Sequence, residues 1–280
     1  MTSLKHNDIF NVLYGVVVMQ SLMSVNSKFM IISPKEVVEL IKTSTYTKGV
    51  EVCIDYENEN EVKYLDELVF ELNRNDMILQ VHANIRLELD KQIEFMKELE
   101  KYSDLLGYPI VVTIHSVYDE DKDISLNKTV EYLTTLINSI DNEKVKICLE
   151  NLNDDGDLDR LDKKDIREIV LNDERLYFTY DIGHEMADYG RITDLDQYMT
   201  EDISNIHLHT HNETGQDHMP IFENDSYWDE IIKGLIYLKL NNYSGNIVYE
   251  YDLYFCDGNG IEERIQTYLK SIDFVSEKYQ

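Results

Sequence analysis

Leu176-Tyr-Phe-Thr-Tyr-Asp-Ile-Gly-His184 is a near-continuous apolar run that ends on an acid and, three residues later, a histidine. A strand covered on both faces has this composition, because neither side is left for water. The same pattern recurs along the chain, at residues 12–19, 50–56, 77–84, 110–116, 145–151, 176–182, 203–209 and 246–251. Between these runs lie stretches with helical spacing, at 34–45, 61–73, 88–102, 126–140, 157–172, 227–240 and 260–277. Ser33-Pro34 puts a hydroxyl at a helix cap and proline in the first turn, and Glu88, Asp90 and Asp157 put negative charge in first turns. Eight strands alternating with helices give a (β/α)8 barrel, whose usual length is about 250 residues. A doubly wound open sheet is the alternative, and it would show a glycine-rich phosphate turn after an early strand, which this sequence lacks. Two elements are less sharply marked. The first strand could instead be residues 29–33, and the sixth helix would lie between 192 and 201. No linker or low-complexity tract divides the chain, so residues 1–280 are expected to form one domain.

Composition narrows the function classes. Lys and Arg number 26 against 55 Asp and Glu, which gives a formal charge of −29. A protein that grips a phosphate backbone displays cations, so nucleic acid is an unfavoured partner. Hydrophobic residues make up 43% of the chain and charged residues 29%, ordinary proportions for a globular protein. Cys53, Cys148 and Cys256 are dispersed without a CxxC pair, which argues against disulfides and cysteine zinc sites and suits a reducing compartment. The apolar stretch 12–19 is too short to span a bilayer and no cleavage signal follows it. A soluble cytoplasmic protein is expected, with no membrane partner.

The strand ends carry the chemistry. Runs three to eight end on or just beyond His82, His115, Glu150, Asp181, His207 and Glu250. In a parallel barrel these ends share one mouth, where active sites of this fold lie. Three carboxylates among them would repel one another once desolvated, unless a cation sits between them. Imidazole and carboxylate donors suit Zn²⁺, Mn²⁺, Co²⁺ or Fe²⁺. The expected metal ligands are therefore Glu150, Asp181, His207 and Glu250. Other polar residues have simpler readings. His209 and His211 are expected to be hydrogen-bonded structural residues, and His6 a surface one. Glu51, Asp55 and Glu57 flank the second strand and are expected to be solvated or to cap a helix. The acidic stretch 154–159 reads as a solvated helix start. Tyr227-Trp228 is expected to pack between helices, although it could cover a sugar face.

This ordered set resembles the xylose isomerase-like TIM barrels, the superfamily that joins sugar isomerases and epimerases with the endonuclease IV type of apurinic-site nuclease. The resemblance runs from about residue 50 to residue 251 and rests on Leu149-Glu150-Asn151, Asp181-Ile-Gly-His184, Ile206-His207-Leu208 and Tyr249-Glu250. It implies a mononuclear metal quartet of Glu150, Asp181, His207 and Glu250. It also implies that Glu150 and Glu250 exchange a substrate proton, with His184 holding a substrate hydroxyl or carbonyl. The trinuclear zinc branch needs further ligands, and His82, His115, His184 and His218 match its additional histidines. Its last aspartate falls at the position of Gln216. Asp217, one residue later, is expected to point elsewhere, which leaves a third metal position incomplete. The implied chemistry is isomerisation or epimerisation of a carbohydrate, with zinc-dependent phosphodiester cleavage at an apurinic site as the alternative. A non-catalytic barrel that binds metal or sugar is a third class, disfavoured by the intact pair of glutamates.

Overall fold

The computed structural model describes residues 19–83, 88–152, 161–192, 203–212, 215–223 and 225–279. Among them eight parallel strands close into a barrel in sequence order. They are β1 (Gln20–Val25), β2 (Thr47–Cys53), β3 (Ile78–His82), β4 (Ile110–Ile114), β5 (Val145–Glu150), β6 (Leu176–Asp181), β7 (Ile203–Leu208) and β8 (Asn246–Tyr249). Each is followed by a helix: α1 (Pro34–Ile41), α2 (Glu59–Arg74), α3 (Leu89–Leu106), α4 (Lys122–Ser139), α5 (Lys163–Leu171), α6 (Ile182–Tyr189), α7 (Trp228–Leu240) and α8 (Ile261–Tyr279). The (β/α)8 reading of the sequence is therefore correct.

Local chemistry sets the helix boundaries. Ser33 and Glu36 form a reciprocal capping box, with Pro34 in the first turn of α1. Asp162 and Asp165 do the same for α5, and the Asp121 carboxylate accepts two amide hydrogens at the start of α4. Gly107 and Gly190 end α3 and α6 in the left-handed conformation that glycine adopts without steric cost. Trp228 stacks on Phe274 at 5.1 Å between ring centroids, between α7 and α8 as expected, whereas Tyr227 lies 4.5 Å from His211 in the loop after β7.

The first strand differs from expectation. It is Gln20–Val25 rather than residues 12–19, of which 12–18 lie outside the described residues. Residues 29–33, the other candidate, belong mostly to a 3₁₀ turn at Ser27–Ile31. β1 looked polar because of Gln20, Ser21 and Ser24, but Ser21 is fully buried and bonds Ser276 and Tyr279 of α8 at 2.8 and 3.1 Å. A hydroxyl satisfied in this way can occupy a buried strand without penalty. α6 starts directly after Asp181, while most of the expected segment 192–201 lies outside the described residues, as does Asp157 with the acidic stretch 154–159.

Among the described residues no helix is long and apolar enough to cross a membrane. All three cysteines are free thiols.

Candidate functional site

The strands deliver their polar ends to one point. Glu150 and Asp181 are the last residues of β5 and β6, and His207 is the penultimate residue of β7. Glu250 follows β8 and extends its ladder by donating its amide to Leu208 O at 3.1 Å. His207 Nδ1 stands 2.6 Å from Glu150 Oε1, 3.1 Å from Glu250 Oε2 and 3.9 Å from Asp181 Oδ2. Asp181 and His207 are fully buried, whereas the Glu250 side chain retains 11% exposure toward the mouth.

The electrostatics of the quartet are unusual for a packed interior. Burial alone would lower the His207 pKa, but the carboxylates of Glu250, Glu51 and Glu150 reverse this and hold it well above its ordinary value. Burial likewise pushes the Glu150 and Glu250 carboxyls up, and His207 overcomes that push, so both sit well below the usual carboxylate range. One imidazole thus stands against several converging carboxylates. Asp181 Oδ2 is buried and has no hydrogen-bond partner, although its other oxygen accepts the His184 amide at 2.7 Å. A lone carboxylate oxygen aimed into a group of acids is costly unless a cation meets it. The donor set and this orphaned oxygen together fit a divalent ion held by Glu150, Asp181, His207 and Glu250.

Two further groups border the quartet. Glu150 Oε2 faces His82 Nε2 at 3.2 Å and His115 Nε2 at 2.9 Å, so its two oxygens point to different neighbours. Burial opposes protonation of His82, yet Glu150 raises its pKa to about 9. At His115 burial prevails and the pKa falls. On the other side, His184, His209, Asp217 and His218 bring one donor atom each within 4.8 Å of the others, as do the quartet and the His82, His115, Glu150 group. His184 and His218 share a device in this cluster. Each ring donates Nδ1–H to a backbone carbonyl, His184 to Asn151 O at 2.9 Å and His218 to Glu250 O at 3.0 Å, which leaves Nε2 as the free donor.

His209 stands between two acids. Its Nε2 lies 3.2 Å from Asp181 Oδ1 and its Nδ1 lies 2.9 Å from Asp217 Oδ1, yet neither nitrogen is aligned for a hydrogen bond. Its pKa is opposed by burial and held well above normal by Asp181 and Asp217. Gly183 makes the arrangement possible, since a Cβ there would sit 2.3–2.4 Å from three atoms of the His209 ring.

A family model described as "Xylose isomerase-like TIM barrel" matches residues 83–277. This chain belongs to that family. No curated protein matches it. Solved structures of similar fold include a D-tagatose 3-epimerase-like protein, 20% identical over 92% of this chain and 96% of the other, with a TM-score of 0.65. The IolI protein with a bound zinc atom is 19% identical over 92% and 99% of the two chains, TM-score 0.66. AP endonuclease, family 2 from Brucella melitensis is 13% identical over 84% and 93%, TM-score 0.62.

Three residues lie otherwise than the sequence suggests. Asp217 does not point away. An antiparallel bridge between Thr210 and Met219 folds the segment back, and His218 adopts φ +54°, so adjacent residues both reach the cluster. His209 is a buried member of that cluster rather than a merely hydrogen-bonded structural residue. Glu51 is neither solvated nor a cap. It is fully buried inside the barrel, with Oε1 3.1 Å from His207 Nε2. Asp55 and Glu57 are exposed beside α2, as expected, and His211 lies outside the donor groups.

Proposed function

We propose that this chain is a divalent-metal-dependent isomerase or epimerase of a small sugar, sugar phosphate or polyol. Glu150, Asp181, His207 and Glu250 would hold the ion. The observation that carries this reading is the approach of two glutamates, from β5 and β8, to the same nitrogen of one buried imidazole. A bound Zn²⁺, Mn²⁺ or Co²⁺ would polarise a substrate carbonyl and stabilise the negative charge that develops when the adjacent carbon loses its proton. Glu250, the more exposed of the pair, takes that proton, and Glu150 returns one from the opposite side. His82 and His115 on Glu150 Oε2 supply the buried acid with a proton route. His184, fixed by Asn151 O, offers its remaining nitrogen to a substrate hydroxyl or carbonyl. Epimerases among the structural relatives support a carbohydrate substrate.

A second reading, metal-assisted phosphoester hydrolysis, is favoured by one observation. The two oxygens of Glu150 serve two donor groups, and Asp217 joins a third, which is an arrangement suited to clustered ions. The mouth opposes a nucleic-acid substrate, because Glu120, Asp121 and Asp123 stand exposed beyond β4. One paired experiment separates the readings. Metal-loaded protein is incubated in D₂O with a panel of ketoses and inosose-type polyols, and in parallel with an abasic-site duplex. We expect deuterium to enter the carbon alpha to a carbonyl, with no incorporation by Glu250→Gln. Duplex cleavage at enzyme-like rates without exchange would replace the first reading by the second.

A further inference from the structure

A buried glutamate beneath the quartet is left without a role by the chemistry above. Glu51 lies in the middle of β2 and is fully buried, as are Thr113, Thr179 and Asn205, from β4, β6 and β7. Interior layers of such barrels are usually filled by bulky apolar side chains, so a polar layer here calls for a cause. Thr113 Oγ1 donates to Glu51 Oε2 at 3.4 Å and lies 3.0 Å from Thr179 Oγ1, and Asn205 Nδ2 donates to the same Glu51 oxygen at 3.3 Å. These contacts anchor one oxygen of the carboxylate. The same oxygen lies 3.2 Å from His207 Nε2 in hydrogen-bond alignment, and Oε1 stands 3.1 Å from that nitrogen without being aligned for a bond. The opposite nitrogen of that ring, Nδ1, faces Glu150, Glu250 and Asp181.

We propose that Glu51 is a positioning residue: it accepts the Nε2 proton of His207 and so holds the imidazole with its Nδ1 lone pair aimed at the convergence of Glu150, Asp181 and Glu250. The inference rests on the metal reading of that quartet. Two alternatives leave the geometry unexplained. A carboxylate kept for fold stability would be better replaced by an apolar residue of similar volume. One kept only to add negative charge would not need hydrogen bonds from Thr113 and Asn205 to fix its plane. A neutral imidazole has one donor and one acceptor nitrogen, and a carboxylate can only accept. The pairing therefore selects a single tautomer. The residue acts through His207 and touches no substrate.

The test is zinc titration of the full chain by calorimetry, with thermal unfolding in chelator as a control. Glu51→Gln keeps the shape but presents Nε2 with an amide that can donate as well as accept, so either ring tautomer is allowed. It is expected to weaken zinc binding by about 10–100-fold, the usual effect of removing such a partner, with little change in metal-free Tm. In a His207→Ala background the same substitution is expected to change affinity by no more than about twofold, the scatter of independent sites. Nitrogen–proton correlation spectra of the zinc-loaded protein should place the His207 ring proton on Nε2. Wild-type affinity in Glu51→Gln, an equal loss in the His207→Ala background, or a proton on Nδ1 would each overturn the inference. If Glu51→Gln does not fold, Thr113→Val serves instead. It should weaken zinc binding about fivefold, the net worth of one hydrogen bond, and an unchanged affinity would overturn the proposal. A wild-type chain that binds no zinc would instead remove the metal reading, and this inference with it.

Discussion

Gly183→Ala is a one-carbon perturbation whose consequence can be worked from distances. The added Cβ would stand 2.3–2.4 Å from Cε1, Nδ1 and Nε2 of His209. Ordinary carbon contacts lie at about 3.5–4.0 Å, so the ring must retreat by more than about 1 Å. It has nowhere to go. His209 is fully buried, with Asp181 and Asp217 at 3.2 and 2.9 Å on its two nitrogens. Overpacking of this kind costs about 1–3 kcal/mol. For a domain of this size each kcal/mol shifts Tm by about 2–4 °C, which gives a fall of about 2–12 °C in metal-free protein. The same displacement should dismantle the cluster of His184, His209, Asp217 and His218 while leaving the quartet in place. Thermal unfolding in chelator measures the first effect, and metal stoichiometry after loading measures the second. The double substitution Gly183→Ala with His209→Ala should recover part of the lost stability, because the obstructing ring is gone. A single variant with unchanged Tm and unchanged stoichiometry would refute the reasoning.

Other consequences are open to direct measurement. In metal-free protein His82, raised from an ordinary value of 6.5 to about 9, contributes stability that is complete below about pH 6.5 and is lost as pH rises toward 9. Tm of the metal-free chain should therefore fall across that window, and metal-loaded chain should resist the fall because the ion replaces the proton. Glu150→Gln and Glu250→Gln should each abolish turnover while circular dichroism stays that of the parent. Turnover near the parental rate in either folded variant would count against the role given to that residue. Asp217→Asn should lower the metal stoichiometry without reducing occupancy of the quartet, which elemental analysis of dialysed protein can resolve.

The fold was legible because apolar runs long enough for doubly covered strands alternate with helix-spaced segments from residue 47 onward. The quartet was legible because its members sit at strand ends, where topology alone brings them together. What escaped the sequence was local. Glu51 lies between Val50 and Val52, and nothing in a linear reading says whether an acid faces the barrel interior or a covering helix. One signal was present: an acid inside a run covered on both faces must find a buried partner. Asp217 escaped because the reach of adjacent residues depends on backbone conformation, here the positive φ of His218. His209 shares the facing of His207, and only the absence of a Cβ at Gly183 shows that its ring is admitted to the second cluster. β1 is hard to see in the sequence because hydroxyls bonded across to α8 look like loop residues.

Elemental analysis of the purified chain tests the central claim most directly. Protein loaded with zinc or manganese and dialysed against metal-free buffer should retain at least one ion per chain. An Asp181→Ala, His207→Ala double variant that remains folded should lose the ion of the quartet. Parent protein without a retained ion, or a folded double variant with undiminished metal content, would contradict the proposal that Glu150, Asp181, His207 and Glu250 converge to hold a cation.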